Sequence, residues 1–182
     1  VTTAGNDVFA SGEVARGQNV WQSLGGMQVG SIWGHGSYVA PDWTADWLHR
    51  EAVFVLEEWA QADYKRPYAD LYAEDKSRLQ GRLQALYRNN TYEPSQNLIR
   101  IDPIRARAIE NCVKHYSEVF RSGNIPYAIP PGTVSSAERM HQFAAFIFWT
   151  SWSASANRPG QTMTYTDRKS TRLNSSHLGI SY

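Results

Sequence analysis

The sequence predicts a mostly α-helical domain of about five helices with little strand. Three features carry that expectation. Five stretches repeat apolar side chains every three or four residues, the period of a helix buried along one face. Helix caps and breakers bound them, among them Gly25-Gly26, Asp102-Pro103 and Arg158-Pro159-Gly160. The 182 residues are 42% hydrophobic and 13% aromatic, with 7 Trp and 10 Tyr, a composition that disordered chains lack.

The first helix is expected over residues 13–24, with Val14, Val20, Trp21 and Leu24 on one side and Gly25-Gly26 closing it. A glycine-rich loop follows to Pro41. Asp42 or Thr44 caps a second helix reaching about Tyr64, in which Trp47, Phe54, Leu48, Val55 and Trp59 keep helical spacing. The third is expected over residues 67–88, with Pro67 in its first turn and a stripe of Leu71, Tyr72, Leu79, Leu83 and Leu86. Residues 91–101 read as extended or irregular. Asp102 then caps a fourth helix reaching Phe120. The proline-rich stretch 124–133 reads as a loop over the core. Ser135 and Glu138 have capping-box spacing and open a fifth helix through about Ala156.

That fifth helix is apolar nearly all round, and a helix of this kind needs cover on most sides. Four other helices are expected to bury Phe146, Trp149 and Phe143. Phe148 and Trp152 are then left for a partner, which makes self-association of the isolated chain an expectation.

Composition excludes several functions. The formal net charge is +1, so no long-range field points to nucleic acid or anionic lipid. Cys112 is the single cysteine; it cannot form an internal disulfide, a four-cysteine zinc site or a two-thioether haem link, and it reads as a small buried side chain. None of the five histidines shows metal-ligand spacing. His49, mid-helix, reads as a surface group or a cap over the core. His35, between Gly34 and Gly36, either satisfies loop carbonyls or bonds a neighbouring domain or a cofactor propionate; the residues leave both open. The glycines of residues 25–36 follow a helix rather than a strand, which is wrong for a dinucleotide loop. Glu57-Glu58, Asp70 and Glu74-Asp75 fall on faces read as solvated. The longest apolar run, residues 143–149, is too short to span a bilayer, and residues 1–12 carry no signal-peptide pattern.

The stretch from Gly17-Gln18-Asn19-Val20-Trp21-Gln22 through Gly34-His35-Gly36-Ser37-Tyr38 to Ala40-Pro41-Asp42-Trp43 resembles the N-terminal extracytoplasmic region of quinol-dependent nitric oxide reductases, in the haem-copper oxidase superfamily. Trp149-Thr150-Ser151-Trp152 and Asn157-Arg158-Pro159-Gly160 resemble the end of the same region. The resemblance covers roughly residues 8–166. It implies a cytochrome-c-like domain over residues 1–166, on the periplasmic face of a bacterial cytoplasmic membrane.

In cytochrome-c-dependent relatives a separate small protein of the complex has a similar pattern with a C-x-x-C-H haem motif. Laid on this chain, that motif falls on Gly26, Val29 and Gly30, so the resemblance implies a domain without haem, catalytic residues or metal ligands of its own. The parent enzyme would reduce two nitric oxide molecules to nitrous oxide and water, with quinol as donor, using b-type haems and non-haem iron held elsewhere. This segment would be a structural cap, with the membrane domain as partner through Trp33, His35, Tyr38, Phe148, Trp152 and Arg158, and with homodimerisation left open. The alternative is a self-standing helical binding domain without catalysis.

Residues 167–182 are polar, lack helical spacing and resemble a translated sequencing adaptor. They are expected to be a disordered, artefactual tail of a truncated reading frame. Setting them aside leaves 15 basic and 16 acidic residues, a net charge of −1.

Overall fold

A computed structural model describes residues 1–36 and 41–167. Five α-helices carry the fold: α1 (Glu13–Ser23), α2 (Trp43–Tyr64), α3 (Ala73–Arg88), α4 (Pro103–Ser122) and α5 (Ala137–Ser155). Strand among the described residues is limited to three antiparallel two-residue pairs: β1 (Thr2–Thr3) with β2 (Asn6–Asp7), β3 (Ser31–Ile32) with β4 (His35–Gly36), and β5 (Tyr92–Glu93) with β6 (Leu98–Ile99). The mostly α, cytochrome-c-like class expected from the sequence is the one observed.

The caps explain where the helices start. The Asp42 carboxylate accepts from the Ala45 amide at 2.9 Å, and Asp102 accepts from Ile104 at 2.9 Å with Pro103 at the first helical position. Two starts differ from the sequence reading. Pro67 opens only a 3-10 turn, Tyr68–Asp70, because the Tyr68 amide is drawn to Glu57 of α2; α3 begins at Ala73, so Tyr72 caps it from solvent instead of joining the buried stripe. Ser136, not Ser135, caps α5 by accepting from Arg139, and Glu138 accepts from the Gln142 amide instead of closing a capping box.

Helix α5 runs through the centre. On one side α1 crosses it at Gly17, where an added Cβ would lie 1.9 Å from the Gln142 carbonyl oxygen; only glycine permits that approach. On the others α2, α4, the N-terminal segment and residues 157–167 enclose it. Phe148 is fully buried, between Phe9 (ring centroids 5.7 Å apart) and the Arg105 guanidinium (5.5 Å). Trp152 is buried against Tyr165 and Tyr92. This corrects the expectation that both need an outside partner: segments without helical periodicity supply the missing cover. Trp149, read as inward, is the half-exposed member of the run. A smaller apolar cluster packs Ala52, Leu56 and Trp59 of α2 on Leu79, Leu83 and Tyr87 of α3.

Among the described residues no helix is long and apolar enough to cross a membrane. Asp167 belongs to the folded part, since its carboxylate accepts from the Thr164 amide at 2.7 Å. The rest of the expected tail, residues 168–182, lies outside the described residues.

Candidate functional site

The loop after α1 holds the positions that matter most for a haem. Gly26 and Val29 bound a short 3-10 helix, and Gly30 follows it with φ 138 and ψ 171, a conformation open to glycine alone. A Cβ on Gly30 would lie 2.3 Å from Trp43 Nε1 and 2.8 Å from the Pro41 carbonyl oxygen. The Trp43 indole donates to the Val29 carbonyl at 3.1 Å and is fully buried. Its ring packs among Phe120 (5.6 Å), Tyr116 (5.9 Å) and Tyr127 (6.1 Å). The position that the resemblance equates with a haem ligand is therefore filled by another residue's side chain.

The residues do not fit a c-type haem. Positions 26 and 29 carry no thiol, position 30 has no imidazole and no room for one, and Cys112 is sealed in the core. Burial, then the nearby Glu51 carboxylate, pushes the Cys112 thiol well above its usual range. Beside Val29 lies an apolar pocket of about 80 Å³, between Leu24, Phe120, Tyr127 and Ile129. Small-molecule sites enclose roughly 300–1,000 Å³. Among the described residues no group of three or more His, Cys, Asp or Glu is placed to hold a metal ion.

The remaining expected site residues separate into two sets. Trp33 sits in the turn of the β3–β4 hairpin with φ 55, a left-handed conformation costly for so bulky a residue. Two bonds hold it there: its amide donates to Thr44 Oγ1 at 3.3 Å, and its indole donates to the Thr150 carbonyl at 2.8 Å. The ring lies 5.8 Å from Trp149 and remains 39% exposed, so a strained aromatic is presented outward. His35 is exposed in the same hairpin, and Tyr38 lies outside the described residues. Arg158 is in the second set; its guanidinium donates to the Tyr165 and Asp167 carbonyls and folds residues 157–167 back over Trp152.

Sequence reasoning missed a buried polar network that ties α2 to α4. Glu51, fully buried, accepts from Arg105 Nε at 2.5 Å and from the Trp47 indole at 2.9 Å. Arg105 is 3% exposed and stacks on Tyr87 at 4.3 Å. Burial works against its cation, but Glu51 and then Tyr87 beside it keep its proton held more tightly than usual. One turn earlier Asp46 accepts from Tyr116 OH at 2.5 Å and from Arg50 Nε at 2.8 Å. Burial and then Asp46 raise the Tyr116 phenol well above its ordinary value. A signal existed: Glu51 is four residues from Trp47 and from Val55, and Arg105 is four from Ile109, so both occupy apolar stripes. The Arg105 Nε, Trp47, Tyr116 and Arg50 donors all meet carboxylates of α2, which suits holding two helices together, while Arg105 Nη2 is buried without a hydrogen-bond partner among the described residues.

The family model described as the cytochrome c-like domain of NorB, a nitric oxide reductase component, matches residues 1–168. No curated protein matches the chain.

Proposed function

The chain belongs to the NorB cytochrome c-like domain family of nitric oxide reductases, and we propose from this that it is the non-catalytic extracytoplasmic cap of a quinol-fed nitric oxide reductase. The observation that carries the proposal is the closed loop at Gly30, where the Trp43 indole takes the space a haem ligand would need. A domain that cannot carry a c-type haem cannot relay electrons from a soluble cytochrome. Quinol is lipid-soluble and would deliver its electrons to a haem within the membrane directly. The parent enzyme would join two nitric oxide molecules with two electrons and two protons into nitrous oxide and water, on b-type haem and non-haem iron bound outside this chain. Trp33, His35, Tyr38 and Arg158 are proposed to face the membrane domain, on the periplasmic side. The strained, half-exposed Trp33 is the best support for that face. Phe148 and Trp152 take no part in it, being buried.

The test uses the parent protein, produced in cells that attach haem c to other proteins. Nitric oxide consumption is expected with a quinol and not with reduced cytochrome c, and the denatured polypeptide is expected to carry no haem stain. A stained band, or turnover fed by cytochrome c alone, overturns the proposal.

A further inference from the structure

Four oxidisable rings run in contact from the core to the surface. Trp47 of α2 lies parallel to Tyr116 of α4, with 3° between the planes and 5.5 Å between ring centroids. Tyr116 and Trp43 meet edge to face at 5.9 Å, and Trp43 and Tyr127 do the same at 6.1 Å. Trp47, Tyr116 and Trp43 are fully buried. Tyr127, in the 3-10 turn Ile125–Tyr127, is half-exposed. Electrons pass readily between rings this close, and indole and phenol are among the side chains that a strong one-electron oxidant attacks.

The rings differ in where their protons can go. A phenol that has lost an electron is a strong acid, so it is oxidised most easily where a base stands ready. Tyr116 OH donates to Asp46 Oδ2 at 2.5 Å, a short charge-assisted bond to a carboxylate. Burial and then Asp46 keep the phenol protonated at rest. The Trp43 indole donates to the Val29 carbonyl, which takes up no proton. Tyr127 OH accepts from Arg50 Nη2 at 3.5 Å, so a cation and not a base faces it. The Trp47 indole donates to Glu51, but an oxidised indole releases its proton less readily than an oxidised phenol. Of the four rings, Tyr116 is the one where an oxidising equivalent comes to rest.

We propose that Tyr116 is a redox-active tyrosine, which holds one oxidising equivalent as a neutral phenoxyl radical. A strong one-electron oxidant in solution, such as nitrogen dioxide, takes an electron at Tyr127, whose proton leaves to water. The electron is replaced from Tyr116 by way of Trp43, and Tyr127 takes a proton back. Tyr116 passes its own proton to Asp46. In balance, the Tyr116 phenol, the Asp46 carboxylate and the oxidant become the phenoxyl radical, the Asp46 carboxylic acid and the oxidant with one more electron. One electron from a small reductant such as ascorbate, with the proton held on Asp46, restores the phenol. The half-exposed ring is spared coupling to a second radical, and the buried one is out of reach. Only a strong oxidant drives this relay, so it stands apart from the electron-donor reading.

The test uses the whole chain, oxidised in solution by photogenerated ruthenium(III) tris-bipyridine. Transient absorption and electron paramagnetic resonance follow the radicals. The wild type is expected to give a long-lived tyrosyl radical that ascorbate removes. Tyr116→Phe, which keeps the ring and its packing, should abolish it. Asp46→Asn should lower its yield by at least about tenfold, as loss of a positioned proton acceptor does. Arg50→Gln breaks the same ion pair but leaves the carboxylate, and should retain the radical. Trp43→Phe should slow its appearance. Absence of a long-lived radical in the wild type, its survival in Tyr116→Phe, or an undiminished yield in Asp46→Asn overturns the assignment. Equal loss in Arg50→Gln overturns the role of Asp46 as acceptor, and an unchanged rate in Trp43→Phe overturns the path.

Discussion

Replacing Gly30 by alanine adds one methyl group at the tightest point of the structure. Two costs follow. The backbone at φ 138 and ψ 171 lies in a region that residues with a Cβ avoid, at about 1–3 kcal/mol. The methyl carbon would also stand 2.3 Å from Trp43 Nε1, and relieving such overpacking in a filled core costs a further 1–3 kcal/mol or so. Together Gly30→Ala is expected to lose roughly 2–6 kcal/mol. For a chain of this length that is a drop of about 4–24 °C in melting temperature. Gly132→Ala is the control: its φ is 72 and nothing lies within 4 Å of the added carbon, so only the left-handed backbone is penalised, at about 1–2 kcal/mol. Urea unfolding followed by tryptophan fluorescence measures both. A cycle with Trp43→Phe should show a coupling of about 1 kcal/mol or more, since the smaller ring removes the atom that the methyl meets. If Gly30→Ala costs no more than Gly132→Ala and is additive with Trp43→Phe, the Trp43 ring does not close this position.

Three further outcomes are expected. Arg105→Met strands the buried Glu51 carboxylate and should cost about 3–5 kcal/mol, whereas Glu51→Met/Arg105→Met should recover most of it; a double variant as unstable as the single would show that packing on Tyr87, not charge, dominates. Burial and then the Arg50 cation hold the His115 imidazole below its ordinary 6.5, so its contribution to stability is complete above pH 6.5 and is lost as pH falls; His115→Gln should flatten the decline below pH 6.5, and an unchanged profile would count against it. Cys112 should resist thiol reagents in the native protein and react on unfolding; equal rates in both states would contradict its burial.

The helices were legible because each is long and periodic, and because Asp42 and Asp102 announce two of the starts. Apart from the one-residue shift of the α5 cap, the misreadings share a cause: a contact outside the element overrode a local signal. Glu57 draws in the Tyr68 amide and delays α3. Periodicity showed that α5 needs cover all round, but not that Phe9, Tyr92 and Tyr165, from irregular segments, provide it. Glu51 and Arg105 each place a charge in an apolar stripe, a signal that went unread, and with 54 residues between them spacing alone cannot pair them. Composition never pointed to Gly26, Val29 and Gly30; only the resemblance did. That Trp43 fills the space beside Gly30 was beyond both.

That filling has a thermodynamic reason, and it predicts what restoring the haem motif would achieve. A hollow of about 300 Å³ left open in a core costs roughly 7 kcal/mol. A whole domain is stable by only about 5–15 kcal/mol, so a cytochrome-c-like fold without haem must close the space. Here Trp43 does so, packed edge-on against Tyr116 and Tyr127 and tilted against Phe120, and bonded to the Val29 carbonyl, with Gly30 providing the clearance. The triple substitution Gly26→Cys/Val29→Cys/Gly30→His therefore supplies the ligands but not the room. Made in a haem-attaching host, it is expected to fold poorly and to show no Soret band. Adding Trp43→Gly would open space where the imidazole must go, at the cost of a core tryptophan, about 3–5 kcal/mol or more. Haem attachment to the triple variant with Trp43 in place would mean that the loop can swing away from α2, and that the closure seen here is not what excludes haem.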